Sequence, residues 1–271
     1  MDLKRISSAL IGFPAVVAIL VFANQYIVDI VISIVAIIAM HEFYNAVAKE
    51  SKPIRWIGYL ACISIAFIHI IPLVLTLEYI KLLVTLIIPI IVLILFLHVI
   101  ISNMKINFKD IAYTLFGILY VALFIMFLAA IRGMENGKIL IWYVFFAAWA
   151  TDVFAYFVGK YLGKHKFSEI SPKKTIEGCI GGTLGAIIVV IIYTYCINKF
   201  LNFEYSYIYV SITTCILSII SQIGDFAAST IKRYVNVKDY SELIPGHGGM
   251  LDRIDSLLFI APFAYALFTL I

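Results

Sequence analysis

Four aspartates, two lysines, two arginines and a glycine-rich turn are concentrated between Ser221 and Ser256. Charged residues make up only 13% of the chain, so this concentration is where chemistry is sought first. Asp225 lies close to an apolar run and follows Gly224; carboxylates at membrane depth are costly and mark functional positions. Pro245-Gly246-His247-Gly248-Gly249 permits positive φ and close backbone approach, so that successive N–H groups can face an anion. Asp252-Arg253-Ile254-Asp255-Ser256 follows. Asp225 paired with Asp252 across the turn offers two carboxylates to a hard, oxygen-seeking ion such as Mg²⁺. Carboxylates, basic residues and an anion turn together form a phosphate-chemistry constellation, in which catalysis is mostly positioning and charge neutralisation.

Each feature also has a plainer reading. Ser221, Asp225, Ser229 and Lys232 fall within roughly 80° of arc at about 100° per residue, on one face of a helix. That face, ending in Lys232 and Arg233, equally describes a basic anchor at the membrane surface. The glycines alone are compatible with a flexible loop, and a lone histidine such as His247 is more often structural. Helix N-capping accounts for one of Asp252 and Asp255, though not for both.

A second polar stretch reads similarly. Asp152, Tyr156 and Lys160 recur at four-residue spacing, and Ser171-Pro172-Lys173-Lys174-Thr175-Ile176-Glu177-Gly178 follows. It is not a Walker A loop, because GxxxxGK[ST] is absent. Lys164 and Lys166 suit lipid-surface anchors; Lys173 and Lys174 suit the site. His41-Glu42 is not HExxH, since Asn45 stands where the second histidine belongs, and Glu42 receives no role. His69 and His98 sit singly in apolar runs and read as core or interface residues.

The elements that must position these groups are set by composition. The chain of 271 residues is 63% hydrophobic, more than a soluble core requires. Apolar runs of about 18 or more residues read as membrane-spanning helices. The expected fold is therefore an all-α polytopic membrane protein of about nine spans, over 6–23, 27–47, 56–77, 80–101, 110–131, 139–158, 178–198, 205–223 and 254–271. Pro72 interrupts the third, and the eighth continues beyond the membrane as a polar helix. The first run lacks a small-residue cleavage site and reads as a span, not a signal peptide. Cys62, Cys179, Cys196 and Cys215 lie in or beside apolar runs without metal or disulfide spacing.

Basic residues alternate between loops. Only Lys81, Arg132, Lys138 and Lys199 fall on one side; all the other lysines and arginines fall on the opposite side. Lys and Arg mark cytoplasmic loops, so the amino terminus is expected in the cytoplasm and the carboxyl terminus outside. One membrane-embedded domain, 1–271, is expected, with an N-terminal helical region over 1–131 and a catalytic region over 132–271. The cytoplasmic loops 159–177 and 224–253 belong to the catalytic region. Gly178, Gly181, Gly182 and Gly185 give overlapping GxxxG spacing, read as close helix packing or dimer contact.

The sequence Ser229-Thr230-Ile231-Lys232-Arg233, then Lys238-Asp239-Tyr240-Ser241, then Leu243 through Asp255 resembles the signature of the phosphatidate cytidylyltransferases, the CDP-diacylglycerol synthases. Asp152 through Lys160, with Ser171 through Gly178, is similar to that family's second block. Ala228 and Ile176 depart from residues common there, Glu and Trp respectively. The resemblance implies transfer of the cytidylyl group of CTP to phosphatidic acid, with release of pyrophosphate and a requirement for Mg²⁺ or another divalent cation. By resemblance and charge, Asp225, Asp252 and Asp255 are the metal ligands, and Asp225, Asp252, Lys232 and Arg233 the catalytic set. Substrate contacts fall to Ser229, Lys238, Asp239, Gly246, His247, Gly248, Gly249, Arg253, Asp152, Lys173 and Lys174. A homodimer in the cell membrane, with its site on the cytoplasmic side and no nucleic-acid partner, is implied as well. The rival readings are a CTP-using polyprenol kinase and a secondary transporter. Transporters hold their ionisable groups near the bilayer midplane, often with internal repeats; here these groups crowd one edge and no repeat is seen.

Overall fold

Apolar runs inside a bilayer must satisfy every backbone N–H and C=O internally, which leaves helices as the local solution for segments of this length. The computed structural model describes residues 3–168, 171, 174–246 and 248–270, with side chains described from residue 10 onward, 11 excepted. Among the described residues the regular elements are helices and there is no strand, only the isolated bridges Lys166–Thr175 and Ile244–Gly248.

The helices are α1 (Leu3–Phe22), α2 (Gln25–Val47), α3 (Arg55–Ser64), α4 (Ile71–Val74), α5 (Leu77–Ile101), α6 (Phe108–Gly117), α7 (Phe124–Gly133), α8 (Gly137–Leu162), α9 (Ile176–Leu201), α10 (Tyr207–Tyr234) and α11 (Leu251–Phe268). A π-helical stretch, Ile118–Leu123, makes α6 and α7 continuous. Among the described residues six segments are long and apolar enough to cross a membrane: α2, α5, the continuous Phe108–Gly133, α8, α9 and α10. The chain is a multi-pass membrane protein. Gly12–Phe22 and Arg55–Phe67 are shorter apolar helices. The expected third span, 56–77, is divided into α3, a 3-10 turn at Ile65–Phe67 and the short α4, which Pro72 opens.

Local signals set several ends. Asn24 opens α2 by accepting from Ile27 N at 2.9 Å. Asn107 and Asp110 form a capping box at α6, in which each side chain accepts the other's orphan backbone N–H. Thr175 opens α9 by accepting from Gly178 N at 3.1 Å. Lys232 and Arg233 occupy the last turn of α10, where the helix dipole favours cations.

The chain divides into two compact units, 1–133 with 235–253, and 134–234 with 254–271. Residues 235–253 pack into the first unit. In the first unit, Met40, Phe43 and Tyr44 of α2 are fully buried. Tyr44 donates to Thr114 O at 3.2 Å, and a Cβ at Gly117 would come within 2.7 Å of its ring. A second apolar cluster joins Ile54, Ile57, Leu95, Val99, Ile111 and Ile118. Val235, Tyr240 and Leu251 of the returning segment are buried.

In the second unit the glycine spacing of α9 serves contact with α8. A Cβ at Gly182 would lie 2.8 Å from Thr151 O, and one at Gly178 would lie 2.8 Å from Ala155 O. Val158 and Phe154 cover Gly181 and Gly185. These glycines therefore allow close packing within the chain. Hydroxyls stitch the same helices to α10: Thr151 Oγ1 donates to Ser218 Oγ at 2.7 Å, Ser218 Oγ to Thr183 Oγ1 at 3.0 Å, and Gln222 Nε2 to Thr183 Oγ1 at 3.1 Å.

Candidate functional site

The polar residues singled out in the sequence gather into two clusters, one in each unit. In the second unit, residues 164–167 pair with 174–177 around the start of α9. Glu177 accepts from Lys164 N at 3.1 Å and His165 N at 3.2 Å, and pairs with His165 Nδ1 at 2.6 Å. Phe167 N donates to Lys174 O at 2.9 Å, and Ile176 N to His165 O at 3.0 Å. This fold carries Lys174 onto α10, where it forms an ion pair with Asp225. The Lys174 ammonium also sits 4.2 Å from the centre of the Phe226 ring, and that ring stacks on Phe167 with centroids 4.7 Å apart.

Asp255 of α11 is buried, 8% exposed, and its Oδ1 accepts from Ser256 N at 2.8 Å. Asp225, Lys232 and Asp152 all act on it electrostatically. Three carboxylates from α8, α10 and α11 thus share a neighbourhood with the cations Lys174 and Lys232. Ser229 is half-buried and Arg233 exposed on the same helix as Asp225. Ser221, one turn before Asp225, is fully buried, and among the described residues its hydroxyl has no partner.

The first unit holds the other cluster. Ile244 N donates to Gly248 O at 2.9 Å, closing a tight turn in which Gly246 has φ 77° and Gly248 φ 84°. These left-handed values favour glycine. Asp252, 8% exposed, accepts through Oδ2 from Tyr240 N at 2.8 Å and Gly249 N at 3.0 Å. Its carboxylate fastens both sides of the turn, so the Gly249 N–H is already committed; both donors precede α11, so these two contacts tie the turn and are not a cap of that helix. Lys238, Asp239 and Arg253 are exposed. Lys173 and His247 lie outside the described residues.

Sequence reasoning gave Glu42 no role, yet it is built into this cluster. It is 3% exposed on α2 and accepts from Ser241 Oγ at 2.5 Å, Met250 N at 2.9 Å and Leu251 N at 2.7 Å. The signal was present as a carboxylate within an apolar run, but its partners are about 200 residues away and left no local trace. Phe167 and Glu177, which seat Lys174, were likewise unassigned.

The resemblance seen in the sequence implies a divalent cation. Among the described residues no group of three or more His, Cys, Asp or Glu side chains is arranged to hold a metal ion. The donor chemistry of part-exposed Asp225, paired with Lys174, and of buried Asp255 fits a hard ion at the level of a pair, because both offer carboxylate oxygens. Asp252 differs in having Oδ2 engaged by the backbone.

The family model described as the cytidylyltransferase family matches residues 3–271. Among curated proteins, a phosphatidate cytidylyltransferase of Bacillus subtilis (strain 168) is 37% identical over 181 residues, 66% of this chain and 66% of its own length. Proteins of the same name from Staphylococcus haemolyticus (strain JCSC1435) and Staphylococcus aureus (strain COL) are each 40% identical over 166 residues, 61% of this chain and 62% of theirs. The chain thus spans less than two thirds of the length of the curated relatives it matches. The family match, in contrast, runs over almost all of this chain and takes in both clusters: the chain belongs to the cytidylyltransferase family.

Proposed function

We propose that this protein is a CTP:phosphatidate cytidylyltransferase that makes CDP-diacylglycerol and pyrophosphate at the cytoplasmic face of the cell membrane. The observation that carries the reading is the grouping of Asp152, Asp225 and Lys232 about buried Asp255, with Lys174 paired to Asp225, in a chain whose relatives bear that name. A phosphatidate oxygen attacks the α-phosphorus of CTP. The new P–O bond forms as the bond to the β-phosphate oxygen breaks, and pyrophosphate leaves with that electron pair. No side-chain nucleophile is needed, so the protein's work is to orient two anions and offset their charge.

Asp225 and Asp255 would hold a divalent ion such as Mg²⁺, with Asp252 as the further ligand. When bound, such an ion neutralises charge developing on the phosphates. Lys173, Lys174, Lys232, Arg233, Lys238 and Arg253 are the cations proposed to receive the triphosphate and the lipid phosphate. Gly246 and Gly248 offer turn backbone to phosphate. Ser229, Asp152, Asp239, Gly249 and His247 complete the proposed substrate contacts. Nine spans with the amino terminus inside and the carboxyl terminus outside is the topology that the alternation of basic loops supports; reporter fusions at both termini test it. A homodimer belongs to the same reading, although the α9 glycines do not supply its interface; crosslinking in native membranes tests it.

The deciding experiment incubates purified protein with α-labelled CTP, phosphatidate and Mg²⁺. Label is expected in the lipid phase as a nucleotide-linked product. Label that stays wholly in water overturns the reading. Transfer of label only from γ-labelled CTP to a polyprenol acceptor marks a kinase instead.

A further inference from the structure

Burying a carboxylate costs free energy unless donors surround it. Glu42 lies in α2, far along the chain from the segment it touches, and three donors converge on it from Ser241, Met250 and Leu251. These donors stand at the two ends of the 241–251 segment, so one carboxylate ties the entry of the turn to its exit. The Met250 and Leu251 N–H groups also belong to the start of α11. Helix starts leave such groups without intrahelical partners, and here a residue 208 and 209 positions upstream accepts from them. The approach is close enough to dictate the neighbouring residue: a Cβ at Gly249 would lie 2.6 Å from Glu42 Oε2. Asp252 adds a second tie, from Tyr240 and Gly249. A Cβ at Gly248 would lie 3.2 Å from Asp252 Oδ2, so the turn also packs closely on that carboxylate.

We infer that Glu42 is a positioning residue of the cytidylyltransferase reaction: its carboxylate fixes the glycine turn and the start of α11, and it acts on substrate only through them. The inference rests on the function proposed above. Its chemistry is specific, because all three partners are donors. A glutamine turns an NH₂ group towards an N–H or O–H, and an aspartate, shorter by one methylene, has the right acceptor but less reach.

The test compares wild type, Glu42→Gln, Glu42→Asp and Ser241→Ala in full-length protein, by steady-state kinetics and by backbone hydrogen exchange. In Glu42→Gln, kcat is expected to fall about 100-fold, the scale of an ångström-level misplacement, while KM for CTP moves far less. Exchange should quicken for residues 241–251 and stay unchanged in α8, α9 and α10. Glu42→Asp should recover part of kcat. Ser241→Ala, which removes one donor of the three, should lose activity only several-fold and add little to Glu42→Gln, as for residues acting as a unit. Wild-type kcat and protection in Glu42→Gln overturn the inference. So does a loss of kcat accompanied by faster exchange throughout the chain, which marks a general packing role. If wild type makes no lipid-linked nucleotide, the functional reading falls. The exchange comparison then decides the anchoring by itself: unchanged protection of 241–251 overturns it, and selective loss upholds it.

Discussion

The two polar clusters use the same residue type in opposite ways. In the first unit, Glu42 and Asp252 are buried carboxylates whose partners are backbone N–H groups and one hydroxyl. In the second, Asp225 and Asp255 are set against another carboxylate and against long cationic side chains. A carboxylate ringed by backbone donors has its charge balanced by fixed dipoles and makes the chain rigid. Carboxylates that share a neighbourhood with each other and with lysines keep unmet electrostatic demand, the condition for binding a cation or an anionic substrate. Partner chemistry, not burial alone, separates the two clusters.

That contrast is sharpest in the aspartate-to-asparagine series. Asp225→Asn and Asp255→Asn are each expected to cut CDP-diacylglycerol formation by at least about 10²–10³-fold, the scale of losing an electrostatic stabiliser, with hydrogen exchange across the chain unchanged. Near-normal turnover in either removes that residue from the metal site. Asp252→Asn is expected to lose comparable activity and, unlike the other two, to free the amides of Tyr240 and Gly249 to exchange. Lost activity with those amides still protected would erase the distinction between the clusters.

Smaller effects refine it. Lys174→Met should raise KM for CTP roughly tenfold, about the worth of one charged hydrogen bond, without loss of thermal stability; an unchanged KM would make the Asp225 pair a structural contact only. Gly182→Ala should lower stability by roughly 1–3 kcal/mol through overpacking against Thr151 O, read from the thermal midpoint in detergent. An unaffected midpoint would mean that α8 and α9 can separate without cost. Ser221→Ala, which removes a buried hydroxyl with no partner among the described residues, should shift stability by less than about 1 kcal/mol, in either direction.

Several features were legible before any coordinates. The length and apolarity of the runs announced helices, because a bilayer allows few other backbone solutions; α2, α5, α8 and α9 include the spans expected over 27–47, 80–101, 139–158 and 178–198, and α10, from Tyr207, takes in all but the start of 205–223. Helical phase placed Ser221, Asp225, Ser229 and Lys232 on one element, and the glycines of 245–249 announced a turn that has the expected positive φ at Gly246 and Gly248. These are local properties, written in spacings of a few residues.

Residue order alone was thus enough for the helical membrane class and for which residues carry charge beside the apolar runs, since periodicity and residue type act over one or two turns. What those charges do was decided by packing. It brought Glu42 to Leu251 across 209 positions, turned Asp252 inward to the backbone, and seated Lys174 on Asp225 through a folded loop. It also committed the α9 glycines to α8. Such pairings depend on how distant segments meet, and a carboxylate's role follows from the partners that tertiary structure delivers.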